Sequence, residues 1–397
     1  MTLNPLYKTK ILELEAHFAL YAKRSTDSLG RKIPLSDDPF RTPFERDSHR
    51  VLHSLPFRRL KHKTQVFFSP KDDHICTRIE HSLHVSSISS TLCKRLDLNP
   101  TLAEAIAIAH DLGHPPFGHL GENAMKRIQA KYSKQNDSYK LPPFKHEAQS
   151  LRVIDTFQNN LHEPLNLTYE VRDGVVCHWG EPNEQSLKPQ YKKDLQSVDV
   201  TAARKQRPAT IEGCVTRMAD TISYLGRDFE DAYMADLISP ESLSPDIRST
   251  LAPDTTKNIN SQIIGTLIND LVDNSRGHDY LQFSNTVFDA LKAMKDFNYQ
   301  NIYLHPKLAG QENRIHLILS ELFAYFLDIL EDNSKYNKII DGPQLDYPCA
   351  VFASFLQDMG YPSDTNKAQI VTDFIVGMTD NFALMCFQDL FHVKSII

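Results

Sequence analysis

Apolar residues return every three to four positions along most of this chain, which is the helical period, and they rarely alternate as a half-buried strand requires. Residues 4–24 carry Leu6, Ile11, Leu14, Phe18 and Tyr21 at such intervals with charged residues between, predicting an opening amphipathic helix. A polar, proline-containing stretch over 25–43 follows, and then two short helices over 44–53 and 56–63, separated at Pro56. KTQVFF and HICTR flank SPKDD and predict a small β-hairpin near residues 64–78. Helical patterning resumes over 79–96. Asn99 and Pro100 supply a cap and first turn for the next helix, LAEAIAIAH, which stops at Gly113. Further helices open near Phe117 and Phe144 and across LTYEVRDGVVCHW. Residues 180–208, rich in Pro, Gln, Ser and Lys, predict a mobile loop. A long helix over 209–233 comes next, then helices over 256–272, 284–295 and 311–330 and three shorter ones to the end. The pattern is that of an all-α protein with one small hairpin.

Composition agrees. Of 397 residues 41% are hydrophobic, 24% are charged and only 14 are Gly, which excludes disordered and collagen-like chains and suits packed helices. The six cysteines form no C-x-x-C pair, so neither a disulfide framework nor a thiolate zinc site is expected. The start, MTLNPLYKTKILELEAHF, lacks the unbroken apolar stretch of a signal peptide, and the most apolar run, 317–330, carries Glu321 and Asp328 and is too short to span a bilayer. A cytoplasmic protein without a membrane partner is expected. The net charge of -6 argues against a surface that binds nucleic acid throughout. Between Arg41 and Lys63, however, basic residues including Arg58, Arg59 and Lys63 greatly outnumber Glu45 and Asp47, and an anion could dock there.

The helix before His110 and Asp111 is apolar nearly all round, so it delivers both residues into the interior. A buried carboxylate needs a cation or hydrogen bonds to offset its desolvation. His81, His84, His114, His119 and His146 crowd the same part of the chain with Glu122, and imidazole with carboxylate suits a borderline divalent ion. His119 and Glu122 stand three apart on one helix face, the spacing of a general acid–base dyad and equally of an ordinary surface pair.

RTPFERDSHRVLHSLPFRRLKHKTQVF, TRIEHSLHV, AHDLGHPPFGHLGE, FKHEAQSLR and MADTISYLGRDFEDA, in that order, resemble the dGTP triphosphohydrolase-like branch of the HD-domain phosphohydrolases. IYLHPKLAGQENRIHLILSELFAYF resembles the helical region that follows in that family. The resemblance implies an HD-domain helical bundle over 1–240, including the basic N-terminal segment, with a phosphohydrolase-associated helical region over 241–397 packed on it. It implies a metal set of His81, His110, Asp111 and Asp220, with Mg²⁺, Mn²⁺ or another ion of the Fe, Co, Ni or Zn type. It further implies His119 as proton donor beside Glu122, His114 and His146 as phosphate-contacting histidines, and Arg78 gripping the triphosphate. Gln65, Tyr224 and Asp228 would contact the sugar, and Arg58 and Lys63 would neutralise phosphate or serve an effector or subunit surface. Thr221 and Glu147 depart from common family residues, which leaves substrate preference open. The implied reaction converts a deoxynucleoside triphosphate, dGTP being one candidate, and water to deoxynucleoside and inorganic triphosphate. The alternatives are another HD-type nucleotide monophosphatase or phosphodiesterase, or a nucleotide-responsive single-stranded DNA-binding protein. A nucleotide effector and assembly as a tetramer or hexamer are further expectations from the resemblance. The loop around Trp179 is either base-facing or a buried anchor.

Overall fold

The opening helix is shorter than its periodicity predicts. In the computed structural model, which describes residues 5–68, 75–156, 163–178, 184–204, 206–341 and 346–392, α1 (Pro5–Glu15) ends where the Glu15 carboxylate accepts a hydrogen bond from Ser25 N at 2.9 Å. Thr42 caps α2 (Pro43–Leu52) in a reciprocal box: its hydroxyl accepts from Glu45 N at 3.2 Å and its own N–H donates to Glu45 Oε2 at 2.6 Å. After α3 (Leu55–Arg59), Thr64 and Thr77 pair through one antiparallel bridge, joining the flanks of the expected hairpin. Its SPKDD tip lies outside the described residues.

Six helices then follow the sequence pattern closely: α4 (Arg78–Arg95), α5 (Pro100–Ala109), α6 (Gly118–Gln135), α7 (His146–Thr156), α8 (Tyr169–Val176) and α9 (Ile211–Met234); after a turn comes α10 (Pro245–Leu251), which the pattern does not predict. Asn99 caps α5 as expected, accepting from Thr101 N at 3.1 Å, with Pro100 in the first turn. The C-terminal part adds α11 (Ile259–Ser275), α12 (Asn285–Asn298), α13 (Pro306–Glu331), α14 (Asn333–Asp341), α15 (Tyr347–Met359), α16 (Lys367–Gly377) and α17 (Asp380–Phe391). Four short helices thus close the chain where the pattern predicts three.

The described part of the 180–208 segment is tied down rather than free. Strand β1 (Ser186–Leu187) pairs antiparallel with β2 (Leu281–Gln282), Gln190 N donates to Pro208 O at 2.8 Å, and half-buried Lys193 forms an ion pair with Asp173. Trp179 lies outside the described residues.

The three largest of five apolar clusters among the described residues hold most of these helices. Leu92, Met218, Leu267 and Leu291 belong to one that unites α4, α5 and α9 with α10–α12. Met125 of α6 packs with Phe323, Phe326, Phe352 and Phe374 in the second, built on α13 and α15–α17. Phe44, Leu60, Ile106 and Val171 form the third, around α2, α5 and α8. Each such buried side chain contributes about 1.5–3 kcal/mol relative to exposure, before conformational entropy is counted. Polar stitches join the C-terminal helices to the rest: Asp380 accepts from Thr64 N at 2.9 Å and from Phe117 N at 2.8 Å. All six cysteines are free and buried, and among the described residues no single helix is long and apolar enough to cross a membrane.

Candidate metal centre and substrate cavity

Every residue of α5 from Leu102 to Ala109 except Glu104 is buried, so its C-terminal end presents His110 and Asp111 to the interior. The Thr77–Glu80 capping box fixes the start of α4, where Arg78 and His81 lie, and α9 brings Asp220. His81 Nε2 is 2.9 Å from Asp220 Oδ1 and 4.0 Å from Asp111 Oδ2. His110 Nε2 is 3.6 Å from Asp111 Oδ2 and 3.9 Å from Asp220 Oδ1. Their outer ring nitrogens are held in turn: His110 Nδ1 lies 2.6 Å from Ala107 O, and His81 Nδ1 lies 3.2 Å from Ser223 Oγ.

A carbonyl oxygen only accepts, so its contact assigns the proton of His110 to Nδ1 and leaves a lone pair on Nε2. That Nε2 is buried and has no hydrogen-bond partner among the described residues. Burial opposes ionisation of Asp220, yet its hydrogen bond to His81 holds the carboxyl at about 2. Burial opposes ionisation of Asp111 too, and the Arg78 guanidinium paired with it holds it well below the usual carboxylate range. Two ionised carboxylates beside two imidazoles, with the lone pair of His110 Nε2 orphaned, fit a divalent cation.

His81, Asp111 and Asp220 form the floor of a cavity of about 350 Å³. Gln65, Arg78, His114, His119, His146 and Tyr224 face it, with Glu122 and Glu147 at one side. The turn that introduces His119 has two consecutive residues with positive φ, Phe117 at 67° and Gly118 at 58°. At Gly118 a Cβ would meet Gln65 O at 2.6 Å, so this approach of the two segments requires glycine.

The HD domain family matches residues 78–225, and the phosphohydrolase-associated domain matches residues 281–389. The chain is 34% identical, over the whole of both chains, to the deoxyguanosinetriphosphate triphosphohydrolase-like protein of Desulfatibacillum aliphaticivorans. It is 32% identical to the protein of the same name from Caldanaerobacter subterraneus subsp. tengcongensis, across 94% of this chain and 91% of that one. It belongs to the deoxyguanosinetriphosphate triphosphohydrolase-like family of HD-domain proteins.

As a member of that family the protein is a metal-dependent phosphohydrolase, and the finer geometry shows how its side chains are shared. Glu122 does not orient His119. Its Oε2 accepts from His146 Nδ1 at 3.1 Å and its Oε1 pairs with Lys126 Nζ at 3.0 Å, because α7 brings His146 closer than the helical spacing brings His119. His119 opens to solvent at the cavity, while the protein packed around it and the Arg78 charge push its imidazole down to about 4. Arg78 is itself engaged: Nη1 donates to Asp111 Oδ2 at 2.6 Å, leaving Nε buried without a protein partner.

Asp228 lies behind the cavity wall and accepts from the Tyr303 hydroxyl; burial raises its carboxyl to about 7 against that hydrogen bond. Neither Arg58 nor Lys63 faces the cavity. Arg58 is exposed on α3, and Lys63 is buried with Nζ donating to His114 O and Val376 O, both at 2.6 Å. The helix α3 ends before the site, and two carbonyls satisfy the ammonium that the charge pattern assigned to phosphate.

Two cavity residues escaped sequence reasoning. His178, just after α8, is buried with Nε2 3.2 Å from His146 Nε2. Tyr303 comes from a π-helical turn before α13, its ring 5.9 Å from that of His119. His178 ends the apolar run VVC, a position like that of His110 after its own apolar helix, and this parallel was the available signal.

Proposed function

We propose that this phosphohydrolase converts deoxynucleoside triphosphates and water to deoxynucleosides and inorganic triphosphate. The observation that carries the reading is the placement of His119 and Arg78 on one cavity with His81, Asp111 and Asp220, beside which His110 lies 3.6 Å from the Asp111 carboxylate. A divalent cation held by His81, His110, Asp111 and Asp220 supplies positive charge to the α-phosphoryl group and lowers the pKa of nearby water. Water adds at the α-phosphorus, the bond from phosphorus to the sugar 5′ oxygen breaks, and that oxygen needs a proton as it leaves.

His119 donates it. Its pKa is low with only protein around it, and the negative charge of a bound triphosphate acts in the opposite sense, raising it toward the working range. Arg78 Nε and the stacked pair His114 and His146, 4.2 Å apart, contact the phosphates. Tyr224, with Gln65 and the Tyr303–Asp228 pair, takes the sugar, where a ring under C2′ disfavours a 2′-hydroxyl. The functional unit is a homo-oligomer, a tetramer or hexamer, in which the apolar residues exposed near the N-terminus, among them Leu14 and Leu20, are covered.

Incubation with each deoxynucleoside triphosphate in turn, with Mg²⁺ or Mn²⁺ and with Asp111→Ala as control, tests the reading by phosphorus NMR. Intact triphosphate, absent in the variant, is expected. Orthophosphate or pyrophosphate as the first product replaces it with another HD-type hydrolysis.

A further inference from the structure

The basic run between Arg41 and Lys63 leaves one cation unexplained. Arg41 pairs with Asp38, Arg46 and Arg50 donate to the carbonyls of Ser36 and Leu165, Lys63 donates to two carbonyls, and Arg58 and Lys61 face water. Arg59 differs. It is half-buried at the end of α3, yet among the described residues its guanidinium has no hydrogen bond and no ion pair. The packing around it pushes its pKa down with no carboxylate to restore it, and the buried Lys63 ammonium lies near enough to add its own positive charge. A guanidinium withdrawn from water with all five donors unmatched is costly unless an anion takes them.

Arg59 lines a groove of about 550 Å³ between α15 and the joint of α16 with α17. Val351, Phe355, Phe374, Met378 and Phe382 give the groove apolar walls. The other polar side chains in it are already used or lie outside. Thr379 Oγ1 caps α17, accepting from Phe382 N at 3.2 Å, and Ser354 Oγ donates at 3.5 Å to Asp358 on the exposed rim. A concave, mostly apolar volume of this size with one placed charge has the character of a small-molecule site.

We propose that this groove binds an amphipathic monocarboxylate, its carboxylate forked on Arg59 and its hydrocarbon body lying against Phe355, Phe374 and Phe382. One guanidinium matches one carboxylate in charge and in bidentate geometry. A phosphate monoester brings a second negative charge, which Asp358 opposes, and a peptide brings backbone groups for which the walls offer few partners. No residue lines both this groove and the cavity above His81, Asp111 and Asp220, so the site holds whether or not the protein hydrolyses deoxynucleoside triphosphates. The two are nevertheless joined through the chain. Met378 and Thr379, in the groove, lie between Val376, whose carbonyl accepts from Lys63, and Asp380, which accepts from Phe117 N in the turn before His119.

The test is isothermal titration calorimetry of the full-length protein with decanoate below its micelle concentration, and with decylamine as the cationic counterpart. Saturable binding of one decanoate per chain and none of decylamine is expected. Arg59→Gln is expected to weaken decanoate binding by about tenfold or more, the loss of a charged hydrogen-bonded pair. Ser354→Trp, at an exposed position on α15, is expected to block the groove and abolish binding while the circular dichroism spectrum stays that of the wild type. Absence of saturable binding to the wild type, equal uptake of decylamine, or wild-type affinity in both variants overturns the proposal. Displacement of decanoate by inorganic triphosphate places it in the other cavity and overturns the proposal as well. A smaller particle for Ser354→Trp in light scattering, with no decanoate bound by the wild type, assigns the groove to a second copy of the chain instead.

Discussion

His119 lies between His114 and Tyr303, ring centroids 5.9 Å from each, at the solvent-facing side of the cavity. Proton donation from such a position contributes typically about 10²–10⁴ in rate. His119→Ala is therefore expected to lower kcat by roughly that factor while bound manganese stays at the wild-type level, which steady-state kinetics and metal analysis check together. Loss of metal in this variant contradicts its role as proton donor. Tyr303→Phe removes the donor to Asp228 and is expected to raise KM several-fold for a deoxynucleoside triphosphate, with kcat nearly unchanged. An unchanged KM excludes the pair from the sugar pocket. At this scale the sequence was partly legible. The chain around His110 and Asp111 is so apolar that their burial, and hence their need for a counter-charge, could be read directly. Glu122 could not, since its partner His146 sits on another helix and only tertiary packing decides between two histidines.

Helix starts couple to the core through buried carboxylates, and these give stability a measurable pH dependence. Glu212, in the first turn of α9, accepts from Lys23 N at 3.0 Å and from Asn99 N at 3.1 Å, with Oε2 buried and unpaired. Burial raises its carboxyl to about 7. The folded protein then binds this proton more tightly than the unfolded chain, so the stabilising contribution is complete below the ordinary carboxyl range and disappears as pH rises through about 7. The linked change is on the order of 3 kcal/mol at most. Thermal melts from acidic to neutral pH are expected to show this decline in the wild type and a flatter profile in Glu212→Gln; parallel profiles contradict it. Asp380→Ala leaves Thr64 N and Phe117 N without their acceptor, at about 1–3 kcal/mol each, and is expected to lower the melting temperature by several degrees. A melting temperature equal to wild type removes this stitch from the account. The sequence marked α5 well because its cap and apolar faces agree, and it placed both ends of α9 within two residues. It misjudged α1, where the chain reverses after Glu15 to satisfy Ser25, a contact that no periodicity encodes.

On the scale of the whole molecule, α6 packs against the C-terminal helices, so the turn carrying His119 depends on residues far along the chain. The two-residue strand pair between β1 and β2 likewise joins a segment read as loop to a distant one, and so short a pairing leaves no periodic trace. Light scattering is expected to show a tetramer or hexamer, and Leu20→Glu, which places a charge among the exposed N-terminal apolar residues, is expected to reduce its size. A monomeric wild type contradicts that assembly. The central claim is that water attacks the α-phosphorus and the 5′ oxygen departs with the sugar. Hydrolysis of a deoxynucleoside triphosphate in water enriched in heavy oxygen, followed by mass spectrometry of both products, tests it most directly. Label in inorganic triphosphate and none in the deoxynucleoside is expected; unlabelled triphosphate with label in the deoxynucleoside, or release of a nucleotide in place of the deoxynucleoside, contradicts attack at the α-phosphorus.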